Sequence, residues 1–337
     1  FFDETNYAQL VANKYQTNHT VFSLSNYDLY SHLFEILDHI DEPFADSSAI
    51  PVYILSKETK KRVTVALSGD GADEVFSGYN KHQAAWRAMH PGTAENAVSN
   101  FSGLWKKLPK SRNNLFSNKI RQFDRFADGM ALNPRERYLN WATYMNEEGA
   151  ARLLSNHVLD TINFEQHDTR TETLLQHIDK RQETINQWLY TDMQLVLTND
   201  MLTKVDLMSM AHGLEIRVPF LDHQVVEFAF GLPEDSKINR KMKKRIVQDT
   251  FRDLLPKKLY RRPKHGFEVP LLGWFRSELK GTIEELLDDD HIKEQEVFNP
   301  EGITQLKQKL FSQDPGDVHA TVWALIVFQH WWKKYMA

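Results

Sequence analysis

The sequence predicts an α/β fold in which helices flank a parallel sheet and a large helical portion follows. A β-branched apolar run at residues 62–67 has the length and composition of a buried parallel strand. Helical spacing precedes this run, and strands separated by helices favour a parallel sheet with helical crossovers. From about Lys81 to Tyr190, Trp, Phe, Leu and basic residues recur without strand alternation, so this stretch is predicted to be helical.

Each element is predicted from its own spacing. Apolar residues at three- and four-residue intervals predict a helix at residues 27–40, and similar patterns predict helices before and after it. In chain order, the predictions are a helix at 5–15, a strand candidate at 19–24, helices at 27–40 and 47–57, the strand at 62–67, a long helix within 192–230 that ends at the compact segment 217–222, an acidic surface stretch at 283–296 and an aromatic-rich helix at 318–335.

A length of 337 residues suits about two average domains or one large α/β domain. We expect one domain over residues 1–337, with an α/β part at 1–85 and a mainly helical part at 86–337. The chain starts with Phe1 and has neither an initiator Met nor a signal-peptide pattern, so we expect it to begin inside a longer polypeptide. No apolar run approaches the roughly 20 residues of a membrane span.

Composition excludes several function classes. Hydrophobic residues make up 41% and charged residues 26%, which is ordinary for a globular protein. The net charge of −5 argues against a general nucleic-acid binder, which is usually basic. Because the chain has no Cys, it contains no disulfide, thiolate zinc site or Cys nucleophile. The same absence agrees with our prediction of a cytoplasmic protein.

The strongest chemical signal is the Gly-rich turn after the predicted strand at 62–67. Ligands gather at the carboxyl ends of parallel strands, and Gly69 and Gly71 permit close backbone approach there. Asp70, Asp73 and Glu74 would repel a bare phosphate, but Mg²⁺ takes carboxylate and phosphate oxygens together. The turn therefore suggests a Mg²⁺-nucleotide site. The alternative is an acidic cap and first turn that only stabilise the following helix.

Basic residues are concentrated between Arg240 and Lys264, where eleven Lys or Arg face two Asp. Such a cluster can neutralise a polyphosphate, although a solvated helix face explains most of it equally well. Lys244 stands just before an apolar helical pattern, from which it could project into a cleft. A second basic group, Lys204, could pair with Asp200 four residues before it, as structural pairs often do.

The polar block at residues 41–48, which follows the helix predicted at 27–40, has two interpretations. Asp46 or Ser47 can cap the helix that follows, and Pro43 disfavours helix at the residue before it. The alternative is that this block forms the wall of a polar pocket. No His-Glu-x-x-His, EF-hand or Gly-x-Ser-x-Gly pattern occurs, so neither a His-bound metal nor a Ser nucleophile of those types is predicted.

Taken together, these segments resemble the C-terminal synthetase domain of the glutamine-hydrolysing asparagine synthetases. Individually the blocks are modest signals, but four in family order are specific. They are DEPFADSSAIP at 41–51, LSGDGADEVFSGY at 67–79, KVDLMSMAHGLEIRVPFLD at 204–222, and RRPKHGF at 261–267 with Pro270 and Trp274.

The resemblance implies an adenine-nucleotide α-hydrolase-like fold that uses ATP and Mg²⁺. The aspartate side chain would attack the α-phosphorus to form a β-aspartyl-adenylate, and ammonia would then displace AMP. By motif match, Ser68, Gly69, Asp70 and Gly71 should contact the nucleotide, and Asp73 should hold the metal. Asp70 should assist proton removal from ammonium, Lys244 should stabilise pyrophosphate, and Asp200 lies near an acid of the site wall.

The chain departs from the family at several points. It lacks the family's pyrophosphate loop and the N-terminal glutaminase domain, which we expect upstream in the same polypeptide, so we expect the fragment alone to be inactive. Ser77 stands where the family often has Gly, and Gln248 where Arg is common. The partners implied are aspartate and ammonia or glutamine, with no nucleic acid and no membrane; a homodimer is left open. A ligase that adenylates another carboxylate, or a silent binding or oligomerisation module, are the competing interpretations.

Overall fold

The computed structural model describes residues 5–22, 25–110, 115–261 and 269–336. The chain divides into two compact units that interleave along the sequence. The first unit comprises residues 1–40, 46–79 and 195–269, and the second comprises residues 41–45, 80–194 and 270–337. The domain boundary near residue 85 stays a prediction. Within the described ranges, no helix combines the length and apolar character that a bilayer crossing requires.

The first unit contains the predicted α/β part. Its early helices follow the predicted spacing, and α1 has the predicted bounds, whereas the 27–40 prediction becomes two helices with a turn at His32 between them. Its elements are α1 (Thr5–Tyr15), α2 (Asn26–Ser31), α3 (Leu33–Asp38), α4 (Ala49–Lys60), β1 (Val65–Leu67), α5 (Ala72–Phe76), α15 (Thr203–Met210), β2 (Glu215–Arg217), α16 (His223–Gly231), α17 (Glu234–Lys237) and α18 (Arg245–Thr250), with 3₁₀ turns at Pro219–Leu221 and Lys257–Arg261.

The predicted strand at residues 19–24 is wrong for its described part. Residues 19–22 lie in neither helix nor strand, and Ser23 and Leu24 lie outside the described residues. A strand needs a partner for its backbone N–H and C=O groups. Residues 19–22 belong to no described strand pair, so their apolar content alone does not produce one.

The sheet is parallel, as predicted, but only two strands are described. β1 pairs with β2 in the register Val65↔Glu215, Ala66↔Ile216 and Leu67↔Arg217. The prediction of a buried strand is wrong for this part of the chain, because Leu67 is 73% exposed and Val65 is also exposed. Side chains two residues apart share a face of a strand, and no described element covers the face of Val65 and Leu67.

Packing within the first unit fixes the elements around β1. Helix α15 packs against both α4 and β2, and α5 packs against α16, α18 and the 3₁₀ turn Pro219–Leu221. A small core of Val75, Phe76 and Ala229 joins these last elements, with the rings of Phe76 and Phe220 edge to face at 6.1 Å between centroids. The end of β1 and the start of α5 are therefore held from several sides.

The second unit is helical throughout its described regular structure, apart from an isolated bridge between Leu154 and Phe298. This confirms the helical prediction for the described residues between Lys81 and Tyr190, and the last helix has the predicted bounds. The helices are α6 (Asn80–Met89), α7 (Thr93–Asn100), α8 (Ser102–Lys107), α9 (Leu115–Met130), α10 (Pro134–Ala142), α11 (Glu147–Ala151), α12 (Asn156–Thr161), α13 (Phe164–Leu175), α14 (Ile185–Asp192), α19 (Leu271–Arg276), α20 (Lys280–Leu286), α21 (Asp289–Gln295), α22 (Pro300–Phe311) and α23 (Val318–Tyr335).

A fully buried carboxylate joins three helices of the second unit. Asp192, at the end of α14, accepts from Lys81 Nζ at 2.6 Å, lies 2.6 Å from His82 Nε2 and accepts from the Tyr138 hydroxyl. Burial of this carboxyl opposes its ionisation, but the charge of Lys81 and the bond to His82 lower the pKa of Asp192 to about 2. The anion is thus compensated inside the core.

We predict that Asp192→Asn lowers the unfolding free energy by roughly 3 kcal/mol, because it removes the buried negative charge that the half-buried Lys81 ammonium and the buried His82 ring contact. Urea unfolding at pH 7 measures this loss. The control is Asp168→Asn in the same unit, where the carboxylate is 75% exposed and the change should cost under about 0.5 kcal/mol. Equal losses in the two variants would contradict the importance of the buried carboxylate.

Candidate functional site

The Gly-rich turn lies at the carboxyl end of β1 and is fixed by β2. The N–H of Ser68 donates to the Arg217 carbonyl at 2.9 Å, which extends the strand pairing into the turn. Gly71 has a φ of +82°, and a Cβ atom there would come closer than 3.0 Å to Leu221. Glycine at residue 71 is therefore required by both conformation and space.

Gly69 differs from Gly71. A Cβ atom at Gly69 would meet no atom within 4 Å, and residue 69 is exposed. No described protein atom therefore explains glycine at residue 69, and its predicted close approach to a ligand stays a prediction. The neighbouring Ser68 hydroxyl donates to the Asp70 carboxylate, and the Asp70 N–H donates back to Ser68 Oγ at 3.2 Å. These two bonds hold Ser68 and Asp70 together within the turn.

The three acids of the Gly-rich turn, of which Asp73 is the predicted metal ligand, have different surroundings. Glu74 is 1% exposed, and its carboxylate accepts from the Tyr79 hydroxyl at 2.6 Å. Asp70 and Asp73 are half-buried. Gly71 is the N-cap of α5 and no side chain caps this helix, so Asp70 does not serve as the cap. Asp73 and Glu74 do lie in the first turn, where negative charge stabilises a helix.

Lys244 reaches the same turn from a distant part of the sequence. It is the N-cap of α18 and has a φ of +48°. Its Nζ atom lies 3.2 Å from Asp73 Oδ1. The Lys244 and Asp73 side chains are 28% and 24% exposed, so the pair is accessible to a ligand. The structure thus brings together the residues predicted to bind pyrophosphate and metal.

Most other cations of the basic segment have local or solvent-exposed positions. Arg252 pairs with Asp249, and Lys241 is exposed, which agrees with the solvated-face interpretation for these residues. Arg245 donates to the Asp235 carbonyl at 2.9 Å. Part of the fourth block, residues 262–268 with Arg262, Pro263, Lys264, His265, Gly266 and Phe267, lies outside the described residues.

Lys204 has a different partner from the one predicted. Its Nζ lies 2.7 Å from Asp46 Oδ2, in another block, rather than pairing with Asp200. Asp200 falls in a π-helical segment, Met193–Leu202, where the i→i+5 hydrogen-bond pattern replaces the spacing that an i,i+4 pair needs. Asp46 also accepts from the Ser48 N–H at 2.9 Å and the Ser48 hydroxyl at 2.7 Å. The N-cap of α4 is Ser48 and no side chain caps the helix, so the predicted capping by Asp46 or Ser47 is wrong. Asp46 instead holds Ser48 and belongs to a polar cluster.

Asp200 is the carboxyl group of this cluster whose pKa is raised. Burial, followed by the nearby Asp46 carboxylate, raises the pKa of Asp200 to about 7, although Lys204 opposes the shift. Burial works against ionisation of Asp46 as well, but the charge and hydrogen bond of Lys204 lower its pKa. Among the described residues, Asp200 Oδ1 is buried without a hydrogen-bond partner. One lysine thus compensates one of two neighbouring carboxylates.

The two residues that depart from the family pattern, Ser77 and Gln248, have different surroundings. Ser77 ends α5 with a φ of +63°, a left-handed conformation that glycine adopts at lower cost, and its buried Oγ has no hydrogen-bond partner among the described residues. Gln248 donates from Nε2 to the Lys243 carbonyl at 2.7 Å, so it holds the backbone next to Lys244. The sequence did not predict the Glu74–Tyr79 hydrogen bond or the Asp46–Lys204 ion pair. The only signal for them was that all four residues lie in the motif blocks at 41–51, 67–79 and 204–222.

Comparisons with known proteins agree with the resemblance. The sequence matches the family described as asparagine synthase over residues 1–333. It is 27% identical over 314 residues to asparagine synthetase [glutamine-hydrolyzing] 1 of Bacillus subtilis (strain 168), covering 91% of this chain and 46% of that protein. It is 30% identical over 140 residues to the asparagine synthetase [glutamine-hydrolyzing] of Mus musculus, covering 40% of this chain and 25% of the relative. The chain thus spans less than half the length of these relatives.

The cluster generates a pH prediction. Asp200 keeps its proton to a higher pH in the folded state than in the unfolded chain, where the pKa of an aspartic acid has its ordinary value of 3.8. The unfolding free energy of the wild type, relative to Asp200→Asn, should therefore fall as pH rises from about 4 to about 7, by on the order of 2 kcal/mol. Urea unfolding of both proteins across that range measures the difference. A difference that is constant or rises with pH would contradict the raised pKa, and Asp206→Asn, with an exposed carboxylate, is the control.

Proposed function

This chain belongs to the asparagine synthase family, and on that premise we propose that the protein containing it makes asparagine from aspartate, ATP and ammonia. The aspartate side-chain carboxylate attacks the α-phosphorus of ATP, so that a β-aspartyl-adenylate and pyrophosphate form. Ammonia then attacks the activated acyl carbon and forms the C–N bond, while the acyl C–O bond breaks and AMP leaves with its electron pair. A carboxylate is a poor acyl donor until its oxygen becomes part of a good leaving group such as AMP.

The observation that carries this proposal is the 3.2 Å contact between Asp73 Oδ1 and Lys244 Nζ beside the Gly-rich turn. Adenylation separates a pyrophosphate from the α-phosphorus, and the barrier falls when charge on the departing group is neutralised in place. Lys244 supplies a positive charge for pyrophosphate, and Asp73 supplies an oxygen ligand for the metal that accompanies ATP. We assign Ser68, Gly69, Asp70 and Gly71 to nucleotide contact.

The described residues suit Mg²⁺ in one particular way. They contain no group of three or more His, Asp or Glu side chains that could hold a metal ion by itself. Mg²⁺ in nucleotide enzymes is usually held by one or two carboxylates together with substrate phosphates, so a lone accessible Asp73 fits this arrangement. When bound there, Mg²⁺ would neutralise phosphate charge. Glu74 is excluded from this role in the present conformation, because it is buried against Tyr79.

Asp70 is proposed to have an acid–base role, and Asp46 and Asp200 a role in substrate binding. Asp70 is proposed to accept the proton that ammonium loses as its nitrogen attacks the adenylate. The Asp46, Asp200 and Lys204 cluster is proposed to form a wall of the aspartate pocket, since it offers both a cation and carboxylates to an amino acid. The raised pKa of Asp200 gives this wall a protonation state that responds to pH near neutrality.

The source of ammonia is proposed from the relatives' names, which describe glutamine-hydrolysing enzymes. A glutaminase domain in the same polypeptide would supply it. A cytoplasmic location and the inactivity of the isolated fragment stay predictions from the sequence, and a homodimer stays open.

The function is tested with the natural protein that contains this sequence. ATP, Mg²⁺, aspartate and ammonium are supplied, and mass spectrometry follows asparagine and AMP. Appearance of both, with AMP formation dependent on aspartate, is the expected result. AMP that forms only with another carboxylate would overturn the choice of substrate, and no AMP with any carboxylate tested would favour a silent binding module.

We predict that Asp73→Asn and Lys244→Ala each reduce pyrophosphate release by about 100-fold or more in the same protein, while both variants stay folded. Release of pyrophosphate under saturating ATP and aspartate is the measurement. Matched controls are Asp253→Asn and Lys241→Ala, whose side chains are exposed. If Asp73→Asn keeps the wild-type rate, the metal assignment is wrong, and near-normal turnover of Lys244→Ala would return Lys244 to the solvated basic face.

A further inference from the structure

Gly78 lies directly against the two side chains of the Asp73–Lys244 pair. A Cβ atom built on Gly78 would lie 2.6 Å from Asp73 Cγ and closer still to Asp73 Oδ1 and Lys244 Cε. Real Cβ atoms essentially never approach other atoms within 3.0 Å. The hydrogen of glycine is therefore the only substituent that leaves both side chains in place.

The end of α5 explains why residue 78 comes so close to Asp73. The N–H groups of Ser77 and Gly78 both donate to the Asp73 carbonyl, the latter at 2.9 Å. Ser77 takes the left-handed conformation, with φ +63°, that folds a chain back over the last helical turn. This turn places the Gly78 backbone over the Asp73 side chain, and Gly78 is itself buried.

The need for glycine at residue 78 is a need for space. Gly78 is absent from the described glycines with positive φ, which are Gly71, Gly213 and Gly316. An alanine at residue 78 could therefore adopt the same backbone conformation. The atoms that it would meet belong to two side chains that are each about one quarter exposed and can rotate away.

We propose that Gly78 is a positioning residue, whose missing side chain creates the gap in which the Asp73 carboxylate and the Lys244 ammonium lie together. The catalytic consequence of this proposal rests on the proposed function, whereas the effect of Gly78 on the positions of Asp73 and Lys244 is independent of that function. A side chain at residue 78 drives the two groups apart and leaves the fold intact. The metal ligand and the pyrophosphate-binding cation then no longer occupy one site.

The first test uses Lys244 labelling and needs no substrate. The natural protein is treated with an amine-acylating reagent, and mass spectrometry compares Lys244 with the exposed Lys241 as an internal reference. Gly78→Ala should raise the Lys244 to Lys241 labelling ratio by about threefold, the factor that an ion pair of this exposure contributes. Asp73→Asn should raise it similarly. Gly231→Ala, where a Cβ meets nothing within 4 Å, should leave the ratio unchanged; an unchanged ratio in Gly78→Ala overturns the proposal.

The second test separates positioning from general damage. In Gly78→Ala the Mg²⁺ concentration for half-maximal pyrophosphate release should rise by about tenfold, while KM for aspartate stays within about threefold. Parallel changes in both constants would overturn positioning. If the wild type releases no pyrophosphate with any carboxylate, the proposed function fails, and the labelling result still decides the role of Gly78.

A further variant covers the case in which Gly78→Ala does not fold. Combining it with Asp73→Ala and Lys244→Ala removes both side chains that the new methyl group would meet, so circular dichroism should show a folded protein again. A triple variant that also stays unfolded would overturn the proposal, because the clash would then involve neither Asp73 nor Lys244.

Discussion

The parallel pairing of β1 with β2 is the constraint on which the candidate site depends. Parallel strands cannot be joined by a tight turn, so the two partners come from distant parts of the chain and are connected by helices. The pairing continues one residue beyond β1, where Ser68 donates to Arg217 at 2.9 Å. That bond sets where the Gly-rich turn begins. The same strand, β2, follows α15, the helix that carries Lys204.

Charge compensation divides the acids of the first unit into separate roles. Glu74 is buried and bonded to Tyr79, whereas Asp73 meets Lys244 where solvent and ligands have access. Lys204 compensates Asp46, and the neighbouring Asp200 keeps its proton to a higher pH. These four acids thus do not form one metal-binding cluster among the described residues. Lys204, which reaches the cluster from another part of the chain, favours ionisation of Asp46 over that of Asp200.

Small side chains give the site its shape. Gly71 is required by its left-handed backbone and by Leu221, whereas Gly78 leaves room for Asp73 and Lys244. Ser77 takes a conformation that usually favours glycine, and its burial against the end of α5 holds it there. Similar residues in one short motif therefore meet different physical demands, which the motif alone does not distinguish.

The sequence by itself determined the elements that depend on neighbouring residues. The bounds of α1 and α23, the parallel relationship of the sheet and the family blocks all follow from local spacing and motif order. It also pointed to Asp73 and Lys244 as partners in one function. Tertiary structure decided that β1 is exposed, that residues 215–217 form a strand, that Lys204 pairs with Asp46, and that Gly78 borders the site. The physical reason is range: helical periodicity is set within a few turns, whereas a three-residue strand and a buried ion pair exist only where packing brings distant segments into contact.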